Sequence, residues 1–250
     1  MNLFNLKGKT ALITGTSGGL GQGIAIGLAE AGADVVCVAR SSSQEAVTQA
    51  EALGRKGKAI EADLSDAAGL QKVFEQALSL TGQIDILVNN AGTIRRTPAK
   101  DHSEKDWFDV IDLNLNSVFL LSQIAGRHMI ERGSGKIINI CSMLSYQGGI
   151  NVPGYTASKH GVAGLTKAFA NEWAASGVQV NGIAPGYMIT DNTAQIQADE
   201  KRMASITERI PAGRWGTPED LQGAAVFLAS SASDYVNGHV LCVDGGWMAR

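Results

Sequence analysis

The sequence has few of the features that mark membrane, secreted or nucleic-acid-binding proteins. It contains no run of about 18 apolar residues, the length that spans a membrane. Its first residues lack the long apolar core of a signal peptide. The net charge is −3 and no basic run occurs, which argues against nucleic acid as a partner. We therefore expect a cytoplasmic protein that binds a small molecule, with neither a membrane nor a nucleic acid as partner.

Cysteine is also scarce, since only Cys37, Cys141 and Cys242 occur, each in a strand-like run. Such thiols are typical of buried free cysteines, and they do not form the pattern of a disulfide framework or a metal site. We expect no metal. With 250 residues, 44% of them hydrophobic, the chain is long enough to bury the core of one large domain.

Strand-like and helix-like patterns alternate along the whole chain. Strands are predicted at 10–14, 34–39, 58–62, 84–89, 137–141, 178–183 and 238–243. Apolar strands separated by helices indicate a parallel sheet covered on both faces. The predicted fold class is α/β, a Rossmann-type doubly wound parallel sheet of about seven strands, with ligands at the carboxyl ends of the strands. We expect a single domain over 1–250, with a nucleotide-binding half at 1–140 and a catalytic and substrate half at 141–250.

A glycine-rich turn follows the first predicted strand and leads into a helix. It reads Thr-Gly-Thr-Ser-Gly-Gly-Leu-Gly over residues 14–21. Gly15 allows a tight turn out of the strand, while Gly19 and Gly21 permit close approach of the backbone to a pyrophosphate. The predicted cofactor-binding residues of this turn are Gly15, Thr16, Ser17, Gly19, Leu20 and Gly21.

Three polar residues of the second half have the types and spacing of a proton-transfer site. Ser142 lies just past an apolar strand pattern, Tyr155 comes thirteen residues later, and Lys159 follows after four more. On a helix, Lys159 stands one turn beyond Tyr155 on the same face. An ammonium beside a phenol favours the phenolate, so Tyr155 can exchange a proton with a carbonyl or alcohol oxygen. The Ser142 hydroxyl can hydrogen-bond that same oxygen.

Together with Asn-Asn-Ala-Gly at 89–92, these motifs resemble the short-chain dehydrogenase/reductase family over nearly the whole chain. The resemblance implies hydride transfer with a nicotinamide cofactor. It implies that Tyr155 is the general acid or base, that Lys159 also binds the nicotinamide ribose, and that Ser142 polarises the substrate oxygen. Asn114, in a predicted helix over 104–131, would complete a tetrad by holding a water of a proton relay.

The same resemblance implies further cofactor contacts along the carboxyl ends of the strands. They are Asp63, Leu64, Asn90, Ala91, Gly92, Tyr155, Lys159, Pro185, Gly186, Ile189 and Thr190. Asp63 has an alternative role as a cap of the next helix.

The end of the second strand leaves the choice of cofactor open. An acidic residue there would select NAD, but the chain has Arg40 and Ser41 instead. Arg40 and Ser41 could hold a 2′-phosphate, which favours NADP(H), or Arg40 could stack on adenine. A branch of the family that acts on 2-dehydro-3-deoxy-D-gluconate, in the breakdown of pectin- or alginate-derived uronates, is resembled more closely over the runs 89–96, 103–107, 142–149, 184–188 and 210–216. That branch is usually NAD-linked and tolerates a missing acid after the second strand, so the resemblance gives NAD(H) a slight edge.

An anionic sugar acid needs a cation in its pocket. The candidates are Arg95 and Arg96 after the Asn-Asn-Ala-Gly turn, and Arg202 and Arg214 in a predicted lid at about 187–214. Substrate-contacting residues are expected to be Arg95, Met143, Gln147, Arg202 and Arg214. The family resemblance also implies a homotetramer.

Two other interpretations remain open from the sequence. The substrate could be that of a gluconate 5-dehydrogenase or of a 3-oxoacyl carrier-protein reductase, for which a small basic patch exists at Arg95, Arg96 and Lys100. The protein could also be a dinucleotide-binding sensor without turnover. The complete set of Ser142, Tyr155, Lys159 and Asn114 argues against a sensor, which has no need of a tuned tyrosine.

Overall fold

The structure, a computed structural model, describes residues 3–249. A single parallel sheet of seven strands organises them, in the order β3-β2-β1-β4-β5-β6-β7. The strands are β1 (Thr10–Thr14), β2 (Asp34–Ala39), β3 (Gly57–Glu61), β4 (Ile86–Asn89), β5 (Gly135–Ile140), β6 (Val178–Pro185) and β7 (Val240–Val243). The predicted α/β, Rossmann-type, doubly wound sheet is confirmed.

Helices cover both faces of this sheet. The α-helices are α1 (Gly19–Glu30), α2 (Gln44–Ala52), α3 (Leu70–Thr81), α4 (Glu104–Ile111), α5 (Ser117–Arg132), α6 (Pro153–Trp173), α7 (Ala194–Gln197), α8 (Glu200–Arg209) and α9 (Gln222–Ala229). One buried cluster joins the sheet to α1, α2 and α9. A second joins its other face to α3, α5 and α6. Within the described part of the chain, no helix is both long and apolar enough to cross a membrane.

The sheet edge that carries the strands' carboxyl ends is closed by hydrogen bonds between β1 and β4. The Thr14 hydroxyl oxygen accepts the N–H groups of Asn90 and Ala91, at 2.9 and 3.0 Å. The Asn90 side-chain amide donates to the carbonyl oxygens of Thr14 and Gly15, at 2.9 and 3.1 Å. The Asn90 side chain therefore satisfies backbone carbonyl groups where β1 ends.

Several strand boundaries differ from the prediction by one or two residues, and two of these differences have a clear local reason. The strand β5 ends at Ile140, one residue early, because Ser142 already caps a short 3₁₀ turn at 143–145. The strand β7 begins at Val240, two residues late, because Gly238 has a φ of 73° that no strand accommodates.

The long helix predicted over 104–131 is interrupted by a wide turn. The helices α4 and α5 are joined at 112–116 by a π-helical segment. Asn114 is fully buried in this segment, and its side chain bonds the backbone of Thr93. A widened turn lets a residue leave the regular helix pattern, and such turns are frequent at functional sites.

The predicted lid is a helical excursion whose two ends are joined. A parallel bridge pairs Met188 with Gly216. The Ile189 N–H donates to the Gly216 carbonyl, and the Gly216 N–H donates to the Tyr187 carbonyl, both at 2.9 Å. The segment between them contains α7 and α8. The two ends of the excursion are therefore held together by backbone hydrogen bonds.

The opposite edge of the sheet depends on a buried carboxylate, Asp85, which is 4% exposed. It accepts the Thr10 N–H at 2.9 Å and a guanidinium N–H of Arg132 at 2.8 Å. Burial acts to raise the pKa of Asp85, but the bonds from Thr10, Arg132 and Gln83 outweigh it and the pKa lies below its ordinary value.

We expect Asp85→Ala to lower the free energy of unfolding by about 3 kcal/mol at pH 7, because it removes the carboxylate that pairs with the partly buried Arg132 guanidinium and leaves the buried Thr10 N–H without its acceptor. A depressed carboxyl pKa gives stability that is complete above about pH 4, the unfolded value, and is lost as pH falls further. Urea unfolding across pH 2–7 measures both effects. The control, Asp101→Ala, removes an exposed ion pair and should change little. A pH-independent loss in Asp85→Ala would contradict this assignment.

Candidate active site

A groove of about 280 Å³ runs along the carboxyl ends of β1, β4 and β5. It is lined by Gly15, Ser17, Gly18, Gly19, Leu20, Asn90, Ala91, Gly92, Ile140, Tyr155, Lys159, Thr190, Asp191 and Asn192. The groove thus brings together most of the predicted cofactor residues from both halves of the chain. The helix α1 begins at its floor, and no side chain caps the first N–H groups of that helix. Free N–H groups at a helix start suit a pyrophosphate.

The glycines at this turn are required by close contacts and backbone conformation. Gly15 has a φ of 72°, and a Cβ there would lie 2.8 Å from the Asn90 amide nitrogen. A Cβ on Gly21 would collide with the Gly15 carbonyl oxygen. Thr16 is buried beneath the turn, where its hydroxyl lies 2.8 Å from the Ser43 hydroxyl. Thr16 and Gly21 therefore shape the turn from below, and neither lines the groove.

The residues predicted to surround the adenosine lie beyond the groove, at the ends of β2 and β3. Arg40 and Ser41 are exposed, and Leu64 is buried. The Asp63 carboxylate accepts the hydroxyl and the N–H of Ser65, at 2.7 and 3.0 Å. These two bonds, with a smaller contribution from the Arg40 charge, lower the pKa of Asp63. Asp63 thus orders its own turn, whereas Asp66 is the residue that caps the 3₁₀ turn that follows. The alternative role of Asp63 as a helix cap is therefore wrong.

Tyr155 and Lys159 lie on the first turns of α6, as predicted from their spacing. The Lys159 ammonium is 5.6 Å from the centroid of the Tyr155 ring. It is buried, and it donates to the Ile140 carbonyl oxygen at 2.6 Å. A buried positive charge therefore faces the phenol.

Ser142 lies where β5 ends, and its hydroxyl oxygen already accepts the Leu144 N–H at 3.1 Å. A hydroxyl has one proton to donate and two acceptor positions. Because the backbone takes one acceptor position, the hydroxyl proton is left to point at a substrate oxygen.

Asn114 connects the wide turn to the catalytic helix. Its carbonyl oxygen accepts the Thr93 N–H at 2.8 Å, and its amide donates to the Thr93 carbonyl at 2.9 Å. The same amide lies 3.3 Å from the Ser158 hydroxyl, which donates to the Tyr155 carbonyl at 2.8 Å. Ser158, which directly precedes Lys159 in the sequence, thus connects Asn114 to the backbone of Tyr155.

A second cavity, of about 350 Å³, adjoins the groove. It is lined by Ser142 and by three of the predicted substrate residues, Met143, Gln147 and Arg202. Gly186, predicted as a cofactor contact, lines this cavity as well. Tyr155 lines both spaces. It therefore stands where a cofactor in the groove would meet a substrate in the cavity.

Arginines give this cavity its charge, and none of the described residues that line it is acidic. Arg96, Arg202 and Arg209 line the wall. Burial, followed by the charge of Arg202, lowers the pKa of Arg96, while Tyr155 acts to raise it. The Arg96 guanidinium also donates to the Asn192 carbonyl at 2.9 Å. Positively charged side chains gathered in a cavity wall that contains no acidic side chain favour the binding of an anionic ligand.

Two of the predicted arginines lie elsewhere. Arg95 points to α4, where its guanidinium lies 3.3 Å from the Asp109 carboxylate and 3.6 Å from that of Asp106. Arg214 forms a bidentate pair with Asp220, at 2.7 Å for both bonds, which holds the pKa of Asp220 at about 2. Neither Arg95 nor Arg214 lines the substrate cavity, because a carboxylate of the chain already holds each one. Arg209, which the sequence prediction missed, stacks on Trp247 at 4.1 Å.

The remaining predicted contacts flank the nicotinamide side of the groove. Pro185 ends β6, and Gly186 follows with its N–H bonded to the Val243 carbonyl at 2.9 Å. Thr190 lines the groove close to Gly19. A Cβ added to Gly19 would lie 3.6 Å from the Thr190 methyl group. The Ile189 N–H is already bonded to Gly216, so only its carbonyl oxygen could serve a cofactor amide.

A Rossmann-type sheet with a glycine-rich groove and a Ser-Tyr-Lys cluster at its carboxyl edge defines a nicotinamide-dependent oxidoreductase. The chain belongs to the short-chain dehydrogenase/reductase family. A family model described as enoyl-(acyl carrier protein) reductase matches residues 15–248. The protein is thus an NAD(P)-dependent oxidoreductase acting on CH–OH groups.

Individual relatives match the chain over its full length. It is 58% identical to a 2-dehydro-3-deoxy-D-gluconate 5-dehydrogenase of Dickeya dadantii, covering 100% of this chain and 99% of the relative. A structure from Agrobacterium tumefaciens, described as a candidate 2-deoxy-D-gluconate 3-dehydrogenase with bound NADP, is 52% identical. Its TM-score is 0.95, with both chains covered completely. A candidate NAD(P)-dependent gluconate 5-dehydrogenase from Beutenbergia cavernae, with NADP at low occupancy, is 50% identical with a TM-score of 0.96, again with both chains covered completely.

Proposed function

We propose that the protein interconverts 2-dehydro-3-deoxy-D-gluconate and its 5-keto form in uronate breakdown. The observation that carries this proposal is the substrate cavity, which is lined by arginines, holds no described acidic residue in its wall, and opens onto Tyr155. Full-length identity of 58% to a dehydrogenase named for this substrate supports the same conclusion.

In this proposal the protein residues supply orientation and the proton. When bound, the nicotinamide supplies or accepts the hydride at the substrate carbon. Tyr155 gives its proton to the carbonyl oxygen in reduction and takes it from the alcohol in oxidation. Ser142 donates its hydroxyl proton to the same oxygen and polarises the carbonyl. The Lys159 ammonium, 5.6 Å from the centre of the Tyr155 ring, stabilises negative charge that develops on the phenol oxygen as the proton leaves.

We expect Tyr155→Phe to lower kcat by about 10²- to 10⁴-fold, the usual contribution of a positioned acid or base. Removal of one hydroxyl should leave binding of the cofactor intact. Turnover of NADH with a 5-keto sugar acid, and titration of NADH binding by fluorescence, measure the two quantities. The matched control is Tyr235→Phe, because Tyr235 is fully exposed. If Tyr155→Phe keeps wild-type turnover, the assigned acid is wrong. If the wild-type protein binds NADH but reduces none of the ketones tried, a sensor is favoured.

Arg96, with Arg202 above it on α8, is proposed to hold the substrate carboxylate. Arg96 follows the Asn-Asn-Ala-Gly turn on the fixed body, whereas Arg202 belongs to the lid. The two guanidinium groups are close enough for the charge of one to affect the other. A carboxylate between them would relieve this repulsion and join the lid to the body.

We expect Arg96→Ala to raise KM for the sugar acid about 10- to 100-fold, since hydrogen bonds to charged groups contribute about 1.5–3 kcal/mol. KM for a neutral ketone should stay within about twofold, because it makes no ion pair. Arg95→Ala is the neighbouring control, and loss of its partly exposed ion pairs should leave both KM values almost unchanged. Equal effects of Arg96→Ala on acid and neutral ketone would contradict the carboxylate role.

The same assay separates the alternative substrates. Gluconate derivatives test a gluconate 5-dehydrogenase, the class described for the B. cavernae structure. An acyl thioester tests a carrier-protein reductase. Turnover of the thioester alone would leave the fold and the proton-transfer residues unchanged and make the sugar-acid assignment wrong.

For the cofactor, the proposal is a preference for NAD(H), with NADP(H) accepted through Arg40 and Ser41. The charge of Arg40 makes a small contribution to the lowered pKa of Asp63, so Arg40 has an acidic neighbour before any 2′-phosphate arrives. The exposed Arg40 can still turn towards a phosphate, in keeping with the NADP found in the A. tumefaciens structure.

We expect Arg40→Ala to raise KM for NADPH about tenfold and to change KM for NADH by less than about twofold, because only NADPH carries the 2′-phosphate. Parallel titrations of both cofactors with one substrate measure this difference. Arg55→Ala, which removes a guanidinium bonded to the Gly32 carbonyl, is the control. A higher KM for both cofactors would indicate stacking on adenine instead.

We also propose that the protein is cytoplasmic and that it assembles as a homotetramer. The support for assembly is apolar surface on α4 and α5, where Phe108 is 56% exposed and Trp107 and Phe119 are each 37% exposed. Large exposed aromatic side chains on neighbouring helices are typical of subunit contacts.

A further inference from the structure

Ser145, three residues after Ser142, is buried beside the catalytic residues but lines neither the groove nor the substrate cavity. Its hydroxyl donates to the Lys159 carbonyl oxygen at 2.8 Å. Its oxygen also accepts the Ser142 N–H at 3.3 Å. One hydroxyl therefore connects the backbones of two residues assigned to catalysis.

This connection spans the same two segments as the bond made by the Lys159 side chain. The ammonium donates to the Ile140 carbonyl at the end of β5, while Ser145 bonds the Lys159 carbonyl from the turn that follows β5. The two bonds differ in one respect. In the proposed mechanism the ammonium also acts on Tyr155 and on a cofactor ribose, and these partners would compete with its bond to Ile140. The bond from Ser145 acts on the backbone and does not depend on where the ammonium points.

We infer that Ser145 is a positioning residue, which holds the backbones of Ser142 and Lys159 in register while the lysine side chain changes partners. This inference rests on the proposed roles of Ser142, Tyr155 and Lys159. Without the Ser145 hydroxyl, the buried Ser142 N–H loses its hydrogen-bond acceptor. The turn that orients the Ser142 hydroxyl then keeps only one of its two side-chain capping bonds, the one from the Leu144 N–H to the Ser142 hydroxyl oxygen.

The expected signature is a loss of kcat without a loss of binding. Ser145 lines neither space and bonds only the backbones of Ser142 and Lys159, so the side chains that bind the sugar acid and the cofactor keep their contacts. A misplacement of catalytic groups by a fraction of an ångström lowers the rate of the chemical step. We expect Ser145→Ala to lower kcat about tenfold and to leave both KM values within about twofold.

The test compares Ser145→Ala with Ser233→Ala in thermal unfolding and steady-state kinetics. Ser233 is a fully buried serine whose hydroxyl also makes backbone bonds, to the Leu228 and Ser230 carbonyls, in a turn remote from both cavities. Both variants lose a buried hydroxyl, so a similar drop in Tm is expected. Only Ser145→Ala should lose kcat, and Ser145→Thr, which restores the hydroxyl, should recover most of it.

An unchanged kcat in a folded Ser145→Ala would overturn the inference, as would an equal loss of kcat in Ser233→Ala. Should Ser145→Ala fail to fold, Ser145→Cys in reducing buffer replaces it, because a thiol keeps the shape but weakens both bonds. A wild-type kcat in that variant would overturn the inference as well. Tyr155→Phe is measured in the same series. If it keeps its turnover, the proposed catalytic roles fail, whatever Ser145→Ala does.

Discussion

The parallel register of β1, β4 and β5 is the constraint on which the site depends. Leu12 pairs with Leu87, and Leu87 pairs with Ile137, so the three strands run side by side to the same edge. Adjacent strands lie about 4.8 Å apart, which places their carboxyl ends within about 10 Å. The glycine-rich turn, the Asn-Asn-Ala-Gly turn and Ser142 therefore meet although long stretches of sequence separate them. Any slip of this register would separate cofactor groups from catalytic groups.

Burial of a single ammonium gives this edge its chemical character. Lys159 is 5% exposed, and a buried charge is tolerated only where polar groups face it. Those groups are the Ile140 carbonyl and the Tyr155 phenol. The neighbouring Cys141 does not compensate the charge, because burial raises the pKa of its thiol to about 11 and keeps it neutral. The ring of Tyr155 therefore lies beside a buried positive charge, 5.6 Å from its centroid.

Most of the fold and the catalytic set could be predicted from the sequence, because both depend on local patterns. Apolar runs located the strands, and the spacing of Tyr155 and Lys159 required only one helix. Predictions failed where the outcome depends on distant partners. The wide turn at 112–116 depends on a bond between Asn114 and Thr93, 21 residues apart.

The arginines illustrate the same limit. Arg95 and Arg96 are adjacent in sequence, and nothing local distinguishes them. The distinction comes from Asp106 and Asp109 on α4, which draw Arg95 away from the cavity. Arg209 lies at the end of a helix that is polar for most of its length, and only the packing of the lid against Trp247 brings it to the wall.

The proposed catalytic groups lie on the sheet and α6, whereas most of the charged cavity wall lies on the segment between Met188 and Gly216. This difference explains why the class of reaction is easier to infer than the substrate. The groups proposed for proton transfer lie on strand ends and on α6, which the sheet holds rigidly. Two of the three arginines in the cavity lie on α8, within an excursion joined to the body at Met188 and Gly216. Substitutions on α8 can therefore change the charge that the cavity presents without moving Ser142, Tyr155 or Lys159. Substrate choice follows from side chains that no catalytic motif constrains, whereas hydride transfer follows from those that the sheet fixes.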